Sequence, residues 1–171
     1  MHRTLQYAIL FIVMVILQIF LFSRIGISVY VHPLVCIAFI VLLPMEIAPL
    51  ALLGLGLLLG VTLDFFMATA GIHTVAALLA AFCRPALLNV LVGKDEVKDG
   101  GVPNVNRIGA KKFVRYASAM ILIHSTAFFL LEALSWSFFY RTALRTALSS
   151  AVTLPLVYFC QKLFSVNRQK I

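Results

Sequence analysis

The feature that most constrains this chain is a series of long apolar runs separated by short polar joints. Five are clear: Leu5 to Phe22, Ile47 to Phe66, Ile72 to Leu91, Phe113 to Leu134 and Ala143 to Phe164. Each is close to the length of about 20 apolar residues that carries an α-helix across roughly 30 Å of hydrocarbon. One interior built from 171 residues cannot hide so much apolar surface, because 63% of the residues are hydrophobic and 12% charged. Soluble domains average about 45–50% and about 25%. The solvent of these runs is therefore lipid, and a water-soluble fold is excluded. No second domain fits between them, so residues 1–171 read as a single integral membrane domain, an all-α, polytopic membrane helix bundle.

A sixth run, Tyr30 to Leu43, is shorter, opens with His32 and Pro33, and is parted from the next only by Pro44, Met45 and Glu46. It either spans obliquely or dips in and returns. Proline is common just past a helix end, and so tight a break suits a turn between antiparallel helices. Six transmembrane helices is accordingly the preferred reading, with five as the alternative. The first run follows Arg3 but is too long for a signal peptide and lacks a small-x-small cleavage site after it, so it is expected to stay as a helix.

Charge sets the orientation. The largest polar piece, Val92 to Lys112, carries Lys94, Lys98, Arg107, Lys111 and Lys112. Basic residues hold short loops in the cytoplasm, so residues 92–112 are expected to form a cytoplasmic basic loop and the C-terminus to be cytoplasmic. With six spans, ten Lys and Arg lie inside and three outside, leaving aside Arg84 within the bilayer. Five spans merely exchange Arg3 with Arg24, so charge leaves the N-terminus open. The net charge of +8 thus serves topology. Nucleic-acid binding would need a basic, aromatic-bearing face on a soluble surface, whereas the aromatic residues here lie inside apolar runs.

Within the second long run, Gly56 and Gly60 form a GxxxG match, and Asp64 continues the same face four residues on. Small residues let helix backbones approach closely, and a polar residue on such a stripe points at a partner helix. The next run answers with Ala76, Ala80 and Arg84, beside a second stripe of His73, Ala77 and Ala81. Joined only by Met67 to Gly71, the two runs should pack as an antiparallel hairpin, although the glycine stripe could instead serve a homodimer. An Asp64–Arg84 ion pair is excluded by helical rise, which puts Asp64 about 3 Å and Arg84 about 18 Å from the outer ends of their helices. Arg84 is expected to snorkel to the cytoplasmic interface, with Pro85 loosening the helix behind it.

At the outer end His73, Glu132, Arg141 and Arg145 fall at a depth similar to that of Asp64, as an interfacial charge network or a substrate mouth. His124 lies near mid-membrane. It reads as a neutral imidazole bonded to a neighbouring helix, since a proton relay needs a chain of acids. There is no P-loop, HExxH or GxSxG, and no Cys or His pair at ligand spacing. No catalytic residue, cofactor or metal is therefore expected, and Cys36, Cys83 and Cys160 read as isolated small hydrophobes.

Gly60-Val-Thr-Leu-Asp64, the turn to Gly71, then Ile72-His73, and further on Arg84-Pro85 resemble the central hairpin of the bacterial rod shape-determining MreD family. Residues 54 to 86 carry this resemblance. Chain length and the number of spans agree over the rest. It implies a non-enzymatic inner-membrane subunit of the cell-elongation machinery, beside MreC, MreB filaments, and RodA with its penicillin-binding transpeptidase. It also implies a six-helix fold similar to the substrate-binding subunits of energy-coupling-factor vitamin transporters, which supplies the alternative function, a solute-binding transporter subunit. Those subunits typically dock through an Ala-x-x-x-Ala face on the first helix, where this chain offers only Ala8.

Overall fold

In hydrocarbon every backbone N–H and C=O must be bonded within the protein, and the long apolar runs meet that demand as helices. The computed structural model describes residues 2–24, 32–133 and 139–166. Among them the chain forms α1 (His2–Arg24), α2 (Ile37–Val41), α3 (Pro49–Met67), α4 (Ile72–Leu87), α5 (Lys94–Lys98), α6 (Val105–Ile108), α7 (Ala110–Ala133) and α8 (Phe139–Val166), and no strand. Four helical stretches are long and apolar enough to cross a membrane: Pro49–Met67, Ile72–Val92, Ala110–Ala133 and Thr142–Leu163. The apolar part of α1, Leu5–Phe20, is shorter. The outer surface of the bundle carries large apolar side chains, among them Leu50 at 84% and Phe65 at 81% exposure, as a lipid-facing surface must.

Local sequence sets the ends. Proline suits a first helical turn, where its missing N–H has no partner to lose, and Pro49 opens α3. Pro85 inside α4 withholds a bond from the ladder, and the helix relaxes into a π-helical turn at Leu88–Val92 before Gly93 ends it.

The antiparallel hairpin expected from the glycine stripe is present as α3 and α4. The short run is different. Its first two residues, Tyr30 and Val31, lie outside the described residues. The remainder forms no spanning helix: residues 32–34 have no regular structure, α2 has five residues, and the chain bends at Leu42 and Leu43. Every side chain from Leu34 to Leu43 is buried, with Val35, Ile37 and Val41 at 0% exposure. Hydropathy alone cannot separate such a core thread from a membrane span, because both are apolar on all sides.

The thread runs inside the bundle from Pro33, beside Gln18 of α1, to Met45, which bonds Gly101 of the loop. The first turns of α1 lie at the loop end as well, since Tyr7 and Ala8 line a groove with Leu43 and Pro44. The last turns of α8 do too, through Gln161, whose Oε1 accepts from Val105 N at 3.4 Å.

The basic loop is an ordered cap. Asn104 Oδ1 accepts from Arg107 N at 2.9 Å, closing the start of α6, and Arg107 Nη2 donates to the Asp99 carbonyl at 2.8 Å. Met45 N donates to the Gly101 carbonyl at 2.8 Å while Glu46 Oε2 accepts from Gly101 N at 2.7 Å. Lys112 pairs with Glu96, and that ammonium holds the Glu96 carboxyl below its usual pKa.

Candidate functional site

Residues singled out by sequence come together in two places along the thread and the hairpin, and side chains that sequence reading missed form a third. The first is the turn between α3 and α4, at the end of the hairpin away from the 92–112 loop. A Cβ built on Gly60 would lie 2.3 Å from Thr74 Cα and 3.0 Å from the His73 carbonyl oxygen, so the two backbones touch there and only glycine fits. One turn deeper, a Cβ on Gly56 would meet Ala81 Cβ at 3.0 Å and the Ala77 oxygen at 3.3 Å. The glycine stripe therefore faces His73, Ala77 and Ala81. The expected partners Ala76, Ala80 and Arg84 are buried on the adjoining face, toward α7 and the thread. Two small-residue stripes about 100° apart look alike in sequence, and the packing of the whole bundle chooses between them.

This close approach puts Asp64 at the start of α4. Its Oδ1 accepts from Thr69 Oγ1 at 2.5 Å and His73 N at 3.0 Å, and its Oδ2 from Thr74 N at 2.9 Å and Thr74 Oγ1 at 2.5 Å. The N-cap residue of α4 is Gly71, at φ +84° and without a capping side chain. Asp64 thus caps α4 from the neighbouring helix, where a negative charge is favoured by the helix dipole. A carboxylate has about four lone-pair directions, and all are engaged, so Asp64 is a clasp and has no free acceptor for a reaction. There is no Asp64–Arg84 bond, as helical rise required.

The second place is the end of the thread nearest the 92–112 loop. Arg84 does not snorkel: it is 1% exposed. Its Nε donates to Tyr116 Oη at 2.9 Å, Nη1 to the Pro44 carbonyl at 3.2 Å, and Nη2 to the Leu43 carbonyl. Tyr116 in turn donates to the Val41 carbonyl at 3.3 Å. These carbonyls belong to the end of α2 and the bend beyond it, which have lost their helical partners. The guanidinium fork supplies several donors in a fixed plane, and it meets this need more fully than interfacial water would.

The third place is the start of the thread, where non-helical backbone lies inside the bundle. Its groups are satisfied by side chains that sequence reading missed. His32 N donates to Ser149 Oγ at 3.0 Å and Leu34 N to Thr153 Oγ1 at 3.2 Å. Gln18 donates to the Pro33 carbonyl at 3.3 Å and accepts from Cys36 N at 3.1 Å. The available signal was the recurrence of Thr142, Thr146, Ser149 and Thr153 at spacings of three and four along α8, a buried polar stripe.

Of the expected outer cluster, Glu132 and Arg145 meet at 3.3 Å, with the Arg145 guanidinium 5.2 Å from the Phe129 ring centre. The side chain of Arg141 lies outside the described residues. His73 stands apart from the pair, buried against Phe128 with ring centres 4.7 Å apart. His124, expected to bond a neighbouring helix, has no partner at Nδ1 among the described residues. No group of three His, Cys, Asp or Glu converges as a metal site among the described residues. Searches of family models, of curated proteins and of solved structures give no match to this chain.

Proposed function

We propose that the chain is a non-enzymatic integral membrane adaptor of the bacterial cell-elongation complex, an MreD-type protein that organises lateral peptidoglycan synthesis and cell shape. The observation that carries this reading is that the residues of the resemblance are engaged inside the fold. Gly60 is in backbone contact, Asp64 has its acceptors filled, Gly71 forms the left-handed turn, and Arg84 holds the bend of the thread. A stretch used in this way builds a rigid scaffold. Recognition then falls to the exposed apolar flanks, such as Leu57, Val61 and Phe65 on α3 and Leu5, Ile9 and Ile16 on α1.

On this reading the partners are MreC, RodA with its transpeptidase, and MreB filaments. The membrane is the bacterial inner membrane, and the 92–112 cap and the C-terminus are cytoplasmic. The thread counts as the second of six crossings, in a fold similar to energy-coupling-factor substrate subunits. Co-purification in mild detergent, followed by mass identification, tests the assignment: wall-elongation proteins support it. The second reading, a solute-binding transporter subunit, is favoured by the buried ring nitrogens of His73 and by Nδ1 of His124, which have no hydrogen-bond partner among the described residues. Recovery of an ATPase module with a paired transmembrane subunit would select it.

A further inference from the structure

Two imidazoles on neighbouring helices are buried with ring nitrogens that have no hydrogen-bond partner among the described residues. His73 on α4 and His124 on α7 are each 1% exposed. His73 Nδ1 and Nε2 and His124 Nδ1 have no hydrogen-bond partner among the described residues, and neither has Ser125 Oγ, the next residue on α7. The two rings share one locality. Phe128 lies one turn beyond His124 on the same face of α7 and packs on the His73 ring, and the two imidazoles are within electrostatic range of each other. Leu34, Ala76, Ala127 and Phe128 enclose this region with apolar contacts.

Native proteins rarely leave buried polar atoms unbonded, and here the hydrocarbon surroundings offer no substitute. The chemistry restricts the occupant. A neutral imidazole carries one N–H donor and one acceptor, and a hydroxyl can do both, so the occupant must both give and accept hydrogen bonds. Among the described residues no charge is left over there to hold an ion: the Asp64 oxygens are filled, and Arg145 is paired with Glu132. A buried water typically makes about three bonds to otherwise unsatisfied groups, which fits this set.

We propose that His73 and His124 enclose an internal water site, in which ordered water bridges the two imidazoles across the α4–α7 interface. The outer half of that interface is then bonded through water, whereas its inner half is bonded directly through Arg84 and Tyr116.

Brief X-ray radiolysis of the full chain in detergent tests this, because hydroxyl radicals formed from bound water oxidise the side chains beside it. Phe128 should be oxidised several-fold more than Phe39, which is also buried but packs in apolar surroundings against Phe11. Equal, low oxidation of the two would overturn the proposal. In a folded His73→Leu/His124→Leu variant, oxidation of Phe128 should fall to the level of Phe39, and its persistence would also overturn it. If that variant does not fold, the comparison within the wild-type chain still decides. Recovery of a stoichiometric metal ion or organic solute from the wild type, lost in His124→Leu, would show that the occupant is not water.

Discussion

Adding a single methyl group at three glycines of α3 should have three different results, graded by what the new Cβ meets. At Gly54 it meets nothing within 4 Å. Gly54→Ala should be neutral or stabilising by up to about 1 kcal/mol, through the lower backbone freedom of alanine. At Gly56 it meets Ala81 Cβ at 3.0 Å, a side-chain contact that can yield slightly, so a loss of about 1 kcal/mol is expected. At Gly60 it would lie 2.3 Å from Thr74 Cα and 2.8 Å from Thr74 N. That neighbour is backbone, so the helices must part by about 1 Å to restore van der Waals contact. Parting them also lengthens the bonds from His73 N and Thr74 N to Asp64. Overpacking costs about 1–3 kcal/mol and a hydrogen bond to a charged group contributes about 1.5–3 kcal/mol, so Gly60→Ala should lose about 3 kcal/mol or more. SDS titration of the purified variants in micelles, followed by circular dichroism, gives the order directly. If Gly60→Ala unfolds at the same SDS fraction as Gly54→Ala, the hairpin is not closed as described.

Three further perturbations probe the other contacts. Thr153→Val keeps the side-chain shape but orphans Leu34 N; it should lose about 1–3 kcal/mol and speed amide exchange at Leu34, and unchanged exchange would contradict the role given to α8. Arg84→Met removes the donors that hold the Leu43 and Pro44 carbonyls and should destabilise by about 1–3 kcal/mol for each carbonyl left unsatisfied; wild-type stability would show that the bend holds itself. Because the Glu96 pKa is lowered by Lys112, the pair's contribution is complete above the ordinary glutamate pKa and is lost as pH falls through the lower folded value. Lys112→Gln should therefore raise the Glu96 titration midpoint by NMR, and an unmoved midpoint would remove the pair.

The long runs were legible because 20 apolar residues have few alternatives to a membrane helix, and the α3–α4 hairpin because Gly56, Gly60 and a short turn point to close antiparallel packing. The rotation of α4 was not legible: Ala76 and Ala77 are equally small, and contacts from α7 and the thread decide which of them faces α3. The state of Arg84 was hidden for a related reason. Its depth was readable from helical rise, but the carbonyls it bonds lie 40 and 41 residues away, on a bend that hydropathy read as a helix end. Ser149, Thr153 and Gln18 carry no motif, and their importance arises only once a non-helical thread has to be satisfied inside the bundle.

The most direct test of the adaptor account is controlled depletion of the protein in the organism that makes it, followed by cell-width microscopy. The account predicts loss of rod shape, with cells widening and rounding, restored by the wild-type chain and by Glu132→Gln. Rod-shaped growth after depletion, with a new requirement for an externally supplied vitamin, would contradict the account and favour the solute-binding reading.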